Sequence, residues 1–167
     1  MTSVRLLVTT AVLLCVMPAA AQDHKPASPH VMIEDAQVKW NPASGALSKG
    51  AETAVLSGSP GKQGPFVMRI RMPAGYKIAP HWHPTDENVT VISGTLSLGM
   101  GETFDANAAK PLATGGYALL PAEMRHFAWT KDGATIQIHG MGPFTINYVN
   151  PADYPGKDDP GKEAPAP

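Results

Sequence analysis

The sequence predicts an all-β protein, built as a barrel or sandwich of antiparallel strands. Short segments rich in β-branched and aromatic residues recur along the chain, and each ends near glycine or proline. In one of them Met68, Ile70 and Met72 alternate with Arg69 and Arg71. This period of two residues is typical of a strand with one buried and one solvent-exposed face. No segment shows a long helical period, and the 167 residues include 16 glycines and 17 prolines. These features favour an all-β architecture over a helical one.

Residues 1–21 have the pattern of a secretory signal peptide. Arg5 precedes an uncharged 12-residue run, residues 6–17, and three alanines close the segment, after which we expect cleavage. A helix needs about 20 residues to cross a bilayer, so a retained membrane anchor is the weaker interpretation. Cys15 raises the alternative of a lipoprotein, but Leu14 before it is not the small residue that lipid attachment would require. We therefore predict a periplasmic or secreted protein that is not attached to the membrane once its signal peptide has been cleaved.

The part that follows the signal is the size of one ordinary domain. It has 146 of the 167 residues, enough to bury a hydrophobic core without the support of disulfide bonds. The only cysteine of the chain lies in the signal, so disulfides and thiolate metal ligands are excluded. The formal net charge is −1, and loss of Arg5 lowers it by one. This balance points neither to nucleic acid nor to an anionic membrane as a partner.

Four parts follow one another along the chain in this interpretation. After the signal come a flexible lead-in at 22–35, a barrel domain at 36–150 and a disordered tail at 151–167. The tail is rich in proline and glycine and too poor in apolar side chains to offset its ordering entropy, most clearly from Lys157 onward.

Within the barrel domain the patterns predict seven strands. They are residues 66–72, 89–92, 95–98, 117–120, 127–129, 135–138 and 144–148. Gly94 lies between two apolar runs, where a positive φ suits a tight reversal, so we expect the flanking strands to form a hairpin.

Two histidines and a carboxylate lie within seven residues of one another. His81 and His83 are two apart, so on an extended strand both imidazoles project from one face. Pro84 ends that stretch and lets Glu87 return toward the pair. His126 comes much later and would be brought in by strand pairing. These four residues, His81, His83, Glu87 and His126, are called the ligand cluster below, and they predict a metal site.

The donor types of the ligand cluster indicate the kind of metal. Three imidazoles and one carboxylate suit a divalent transition metal such as Mn, Fe, Ni, Cu or Zn, whereas calcium prefers oxygen ligands throughout. A six-coordinate ion would keep two positions for water, dioxygen or substrate. Such open positions distinguish a catalytic metal from a structural one. The identity of the metal does not follow from the sequence.

The spacing of these residues resembles the two motifs of the cupin superfamily. Residues 75–94 match the first motif: glycine, five residues, His-x-His, three residues, Glu, six residues, glycine. The second motif is matched by Gly115, Pro121 and His126, although Glu123 replaces its later glycine and Thr130 its closing asparagine. The resemblance covers residues 64–130 directly. It implies a double-stranded β-helix, the jelly-roll barrel, over about 36–150.

His139 is a candidate acid/base outside the ligand cluster. It lies on the opposite face from Ile136 and Ile138 if its strand is regular. It is then either a catalytic residue facing the substrate near the metal or a surface histidine at the bend that follows.

The predicted site is compatible with several functions. We expect a small-molecule ligand or substrate and, as the main hypothesis, a metal-dependent oxidoreductase of the dioxygenase type. The same ligands would also serve a Lewis-acid isomerase or decarboxylase, or a binding or sensing module without turnover. Cupins often pair through edge strands, so a homodimer is also predicted.

Overall fold

The computed structural model describes residues 30–43 and 45–158, and its regular structure consists of antiparallel strands and short 3₁₀ helices. The predicted signal peptide and most of the predicted lead-in lie outside the described residues. No helix in the described part is long and apolar enough to cross a membrane. The ten strands are β1 (Asn41–Pro42), β2 (Glu52–Ser57), β3 (Gly64–Met72), β4 (Lys77–Trp82), β5 (Glu87–Met100), β6 (Lys110–Ala113), β7 (Tyr117–Leu120), β8 (His126–Trp129), β9 (Ala134–Gly142) and β10 (Asn147–Tyr148).

The strands form two antiparallel layers that share one long strand. β1, β2, β3 and β9 follow one another in the first layer, which also contains β7, and β4, β6, β8 and β10 make up the second. Residues 87–94 of β5 pair with β7 and β9, whereas residues 95–100 pair with β6 and β8. The result is a curled double-layered sheet, and the predicted all-β jelly-roll barrel is confirmed.

The predicted hairpin at Gly94 is wrong, because β5 runs without interruption from Glu87 to Met100. Gly94 has a φ of 77°, and the pairing with β9 shifts register just before it, between Val91 and Ser93. A Cβ on Gly94 would lie 2.2 Å from the carbonyl oxygen of Gly133. The glycine therefore bends one strand from the first layer into the second instead of reversing the chain.

The alternation in β3 follows the sequence pattern. Ile70 and Met72 are buried and face the interior, whereas the intervening arginines lie on the outer face. Arg71 forms an ion pair with Glu52, and its guanidinium lies 4.4 Å from the centre of the Trp40 ring. The outer face is therefore partly covered by the segment that precedes β1.

The end of the barrel domain and the segment after it differ from the prediction. Residues 144–148 are strand only at β10, and the predicted disordered tail contains 3₁₀ helices at Pro151–Asp153 and Pro155–Asp158. Tyr154 lies between these helices and is buried, with 7% of its surface exposed. One aromatic side chain in contact with the barrel thus orders a segment whose composition by itself predicts disorder.

Two tyrosines attach the segment around Leu47 to the barrel. Tyr148 donates its hydroxyl hydrogen to the carbonyl oxygen of Ala46 at 2.6 Å, and Tyr76 donates to that of Ser48 at 2.8 Å. Burial raises the pKa of Tyr76 to about 12, and that of Tyr148 is raised further, also mainly by burial. Both hydroxyls therefore stay protonated near neutral pH and act as donors.

The turn before β8 contains Glu123, the residue that stands where the second cupin motif has glycine. Its φ is +63°, in the left-handed region, and its side chain is exposed. Its N–H donates to the carbonyl oxygen of His83 at 2.8 Å, so the turn connects the two histidine-bearing segments. Thr130 stands where the second motif has its closing asparagine. It is fully buried, and its hydroxyl accepts a hydrogen bond from the N–H of Gly133. Both turns keep a defined geometry without the motif residues.

We predict that Glu123→Gly stabilises the protein. A residue with a Cβ in the left-handed region costs about 1–2 kcal/mol, and substitution by glycine removes this cost. The greater backbone freedom of glycine in the unfolded chain offsets about 0.5–1 kcal/mol of the resulting stabilisation. The net increase in the free energy of unfolding should be about 0.5–1 kcal/mol, measured by urea denaturation with chelator present. Glu123→Ala is the matched control, since it removes the carboxylate but keeps the Cβ. Equal stability of the two variants would contradict the strain at this position.

Candidate metal centre

Strand pairing brings the first and last histidines of the ligand cluster together. His81 in β4 lies directly opposite His126, the first residue of β8. His83 follows immediately after β4, and Glu87 is the first residue of β5. Three strand ends therefore supply the four side chains.

A β-bulge sets the register of this pairing. Lys77 and Ile78 pair with Trp129 and Ala128, and the pairing then shifts before it reaches His81. Without the extra residue in β4, Pro80 would stand opposite His126. The bulge thus lets Ile78 and His81, three residues apart, both face the interior.

The four side chains converge on a small buried volume. His81, His83, Glu87 and His126 are each 5% exposed or less. One ring nitrogen of each histidine lies within 4.8 Å of the others, an arrangement able to hold a metal ion. Oε2 of Glu87 lies 3.4 Å from Nε2 of His83 and 3.3 Å from Nε2 of His126.

Backbone carbonyls orient all three imidazoles. Nδ1 of His81 is 2.8 Å from the carbonyl oxygen of Ala79, and Nδ1 of His126 is 2.9 Å from that of Met124. Nδ1 of His83 is 2.7 Å from the carbonyl oxygen of Thr145. A carbonyl oxygen only accepts, so each Nδ1 carries the hydrogen and each neutral ring has its lone pair on Nε2. This is the outer hydrogen bond that metal-binding histidines generally make.

The electrostatics of the cluster favour a neutral His81 imidazole and an ionised Glu87 carboxylate. Burial, together with the neighbouring His126 and His83, lowers the pKa of His81 to about 3. Burial by itself raises the pKa of the Glu87 carboxyl, but its contacts with the His126 and His83 rings outweigh this when those rings carry positive charge, and they hold that pKa below its usual range. A metal cation at the same nitrogens would supply that charge while both rings stay neutral. The protonation states are those that a metal ion requires of its ligands.

These observations show that the residues fit a divalent transition metal. Lone pairs on three nitrogens and a carboxylate face one another, and Nε2 of His83 is buried with no hydrogen-bond partner among the described residues. Buried acceptors without a donor are costly, and a bound cation satisfies all of them together. Three imidazoles and a carboxylate are also donors that such ions prefer.

Phe144 and Thr145 support the cluster through His83, although no sequence pattern indicates this role. The Phe144 ring stacks on His83 with 4.2 Å between ring centres and 17° between planes. Thr145 supplies the carbonyl oxygen for the same imidazole. A phenylalanine or a backbone carbonyl has no motif of its own, so only the neighbouring His83 in three dimensions identifies them.

The ligand cluster lies in the wall of a cavity of about 510 Å³ between the two layers. Its lining is mostly aliphatic. The residues are Ala46, Leu47, Thr53, Pro60, Met68, Ile70, Ile78, Val89, Leu96, Leu98, Ala128, Ile136, Ile138, Phe144, Thr145, Ile146 and Tyr154, besides the cluster itself. The volume falls in the range of about 300–1,000 Å³ that is usual for small-molecule sites.

His139 lies outside this cavity. It is exposed on the outer face of β9, on the opposite side from Ile136 and Ile138, which line the cavity. Its strand neighbours are Val67 and Asn88. Of the two predicted placements, this is the surface one, because the His139 side chain lies on the face of β9 that is turned away from the cavity.

Solved structures with the same fold carry several activities. The polyketide cyclase RemF from Streptomyces resistomycificus is 14% identical, with a TM-score of 0.63 over 76% of this chain and 90% of that one. An acetylacetone dioxygenase candidate from Methylibium petroleiphilum PM1 is 23% identical, with a TM-score of 0.59 over 78% and 88%. A cupin sugar phosphate isomerase from Silicibacter pomeroyi DSS-3 is 20% identical, with a TM-score of 0.55 over 71% and 82%. At these identities the likeness concerns the fold.

A comparison with curated proteins gives no match. The model of one family, described as the ChrR cupin-like domain, matches residues 28–145, which is more than half of the chain and includes the whole ligand cluster. Together with the jelly-roll fold and the two motifs, this match shows that the chain belongs to the ChrR cupin-like domain family of the cupin superfamily.

Proposed function

We propose that the protein is a metal-dependent oxidoreductase of the dioxygenase type that acts on a small organic molecule. One observation carries the proposal: three oriented imidazoles and a buried carboxylate converge in the wall of a cavity large enough for a substrate. His81, His83, Glu87 and His126 would hold the ion. A redox-active ion at these ligands supplies electron exchange between dioxygen and a substrate, and any such divalent ion supplies Lewis-acid polarisation.

The chain's own residues orient the site and exclude water from it. The carbonyl oxygens of Ala79, Met124 and Thr145 hold the imidazoles in one tautomer. The aliphatic walls limit the water that reaches the cluster, which protects reactive species from side reactions.

The cavity favours oxidation over acid/base chemistry. Among the described residues that line it, Tyr154 is the one titratable side chain outside the ligand cluster. Isomerisation and decarboxylation generally need a side chain that moves a proton at the reacting carbon. Oxidation by dioxygen depends less on such a group. The dioxygenase candidate from Methylibium petroleiphilum has the same fold, although its identity of 23% carries no more than the fold.

The competing function is a metal-bearing binding or sensing module without turnover. The same scarcity of proton-transferring side chains favours it, because binding needs none. Export to the periplasm or medium, and assembly as a homodimer, belong to either proposal as predictions from the sequence.

We predict that alanine at His81, His83, Glu87 or His126 lowers metal affinity more than about 100-fold, the upper end of the effect of outer-shell partners. The measurement is elemental analysis of each variant purified without chelators, with circular dichroism to check the fold. His139→Ala is the matched control, because this histidine is exposed on the outer face of β9 and does not line the cavity that contains the cluster. Unchanged metal content in folded cluster variants would refute the assignment of the ligands.

We also predict oxygen consumption by the reconstituted protein. Metal-free protein is loaded separately with Fe, Mn, Cu or Zn and presented with β-diketones, phenols, dicarboxylates and thiols in an oxygen electrode. Substrate-dependent uptake with a redox-active ion, absent with zinc and with the Glu87→Ala variant, is the expected result. Tight binding of a test compound without uptake or product would favour the binding module instead.

A further inference from the structure

We infer that the cavity accepts an uncharged, predominantly apolar molecule that directs its one polar end at the ligand cluster. The inference deepens the proposed function and rests on it in one respect, since a metal at the cluster would hold the polar end. The apolar body of the molecule is selected by the cavity walls alone.

The walls are aliphatic in both layers. Nine of the lining side chains belong to the buried hydrophobic core. Among them, Ile70, Val89, Leu96, Leu98, Ile136 and Ile138 come from strands on different sides of the cavity. Apolar surface that enters such a cavity is removed from water, which contributes roughly threefold to fourfold in affinity for each buried methylene. A hydrocarbon chain or ring therefore gains from every atom that the cavity covers.

Charge is not accommodated away from the cluster. No lysine, arginine or aspartate is found among the described residues that line the cavity, and the one carboxylate there is Glu87. A carboxylate or phosphate on the body of a ligand would lose its hydration without gaining a partner, which is strongly unfavourable. Sugar acids, dicarboxylates and phosphoesters are therefore poor candidates.

Few neutral polar groups are available either. Outside the cluster the lining offers the side chains of Thr53, Thr145 and Tyr154, and the Thr145 hydroxyl already accepts a hydrogen bond from Asn147. Such a wall can meet one or two polar atoms of a ligand but not the many hydroxyls of a sugar. The cavity thus distinguishes a lipophilic molecule from a polyol as well as from an anion.

A set of hydroxamates tests the inference in the zinc-loaded protein, because all of them present the same chelating head. Acetohydroxamate, hexanohydroxamate and the monohydroxamate of adipic acid, which has the same chain length but ends in a carboxylate, are compared by calorimetry. We expect hexanohydroxamate to bind at least 50-fold more tightly than acetohydroxamate, from four additional methylenes. The carboxylate-ended compound should bind no more tightly than acetohydroxamate.

The outcomes separate this inference from the proposed function. Binding of acetohydroxamate with no gain from chain length, or a preference for the carboxylate-ended compound, would overturn the inference and leave the open metal site intact. Failure of every hydroxamate would contradict the open metal site. In that case the inference is tested in metal-free protein with 1-aminoanthracene, an uncharged fluorophore. Displacement of the bound fluorophore by hexanol but not by adipate would support the inference. Absence of fluorophore binding would overturn it.

A substitution in the wall provides a second test. Thr53 lines the cavity in β2 and is only partly buried, so Thr53→Arg places a cation there without removing core packing. It should strengthen binding of the carboxylate-ended hydroxamate at least tenfold and weaken that of hexanohydroxamate. Ser57→Arg in the same strand is the control, since Ser57 is exposed and outside the lining. Identical changes in hydroxamate affinity in both variants would count against the cavity as the binding site of the hydroxamate chain.

Discussion

The register between β4 and β8 is the constraint on which the candidate metal centre depends. Side chains alternate between the two faces of a strand, so a slip of one residue would turn an imidazole from the interior to the outside. A bulge before His81 provides the needed offset and places it opposite His126. Bulges often occur beside functional sites because they redirect a side chain while the sheet around them stays paired. The local irregularity is therefore part of the site.

Backbone carbonyl oxygens in strand β4 and in the loops beside the cluster fix the tautomers of the imidazoles. Carbonyl oxygens near His81, His83 and His126 accept from Nδ1, which leaves every Nε2 as an acceptor. The Nε2 atoms of His83 and His126 face the Glu87 carboxylate. Such an arrangement is costly without a cation and favourable with one. Metal binding and fold stability are coupled in such a site, because ligand side chains brought together by different strands are rarely preassembled in the unfolded chain.

The cavity adds selectivity to this electrostatic centre. One part of its wall is polar and suits a charged ion, whereas the rest consists of the aliphatic side chains of both layers. Segments outside the motifs also contribute: Leu47 lies in the segment bound by two tyrosines, and Tyr154 follows a 3₁₀ helix after the last strand. The metal would determine the class of chemistry, and these walls would determine which molecule reaches it.

The sequence by itself determined the all-β class, the alternation of β3 and the three histidines and one glutamate that meet in the centre, because strand period and motif spacing are local properties. It misjudged Gly94, since a positive φ suits a bend within a strand as well as a turn. It also predicted disorder for residues 151–158, which form two 3₁₀ helices. Only the tertiary structure decided the bulge before His81, the stacking of Phe144, the burial of Tyr154 and the outward position of His139. Each of these depends on contacts between residues distant in sequence, for which a local pattern carries no signal.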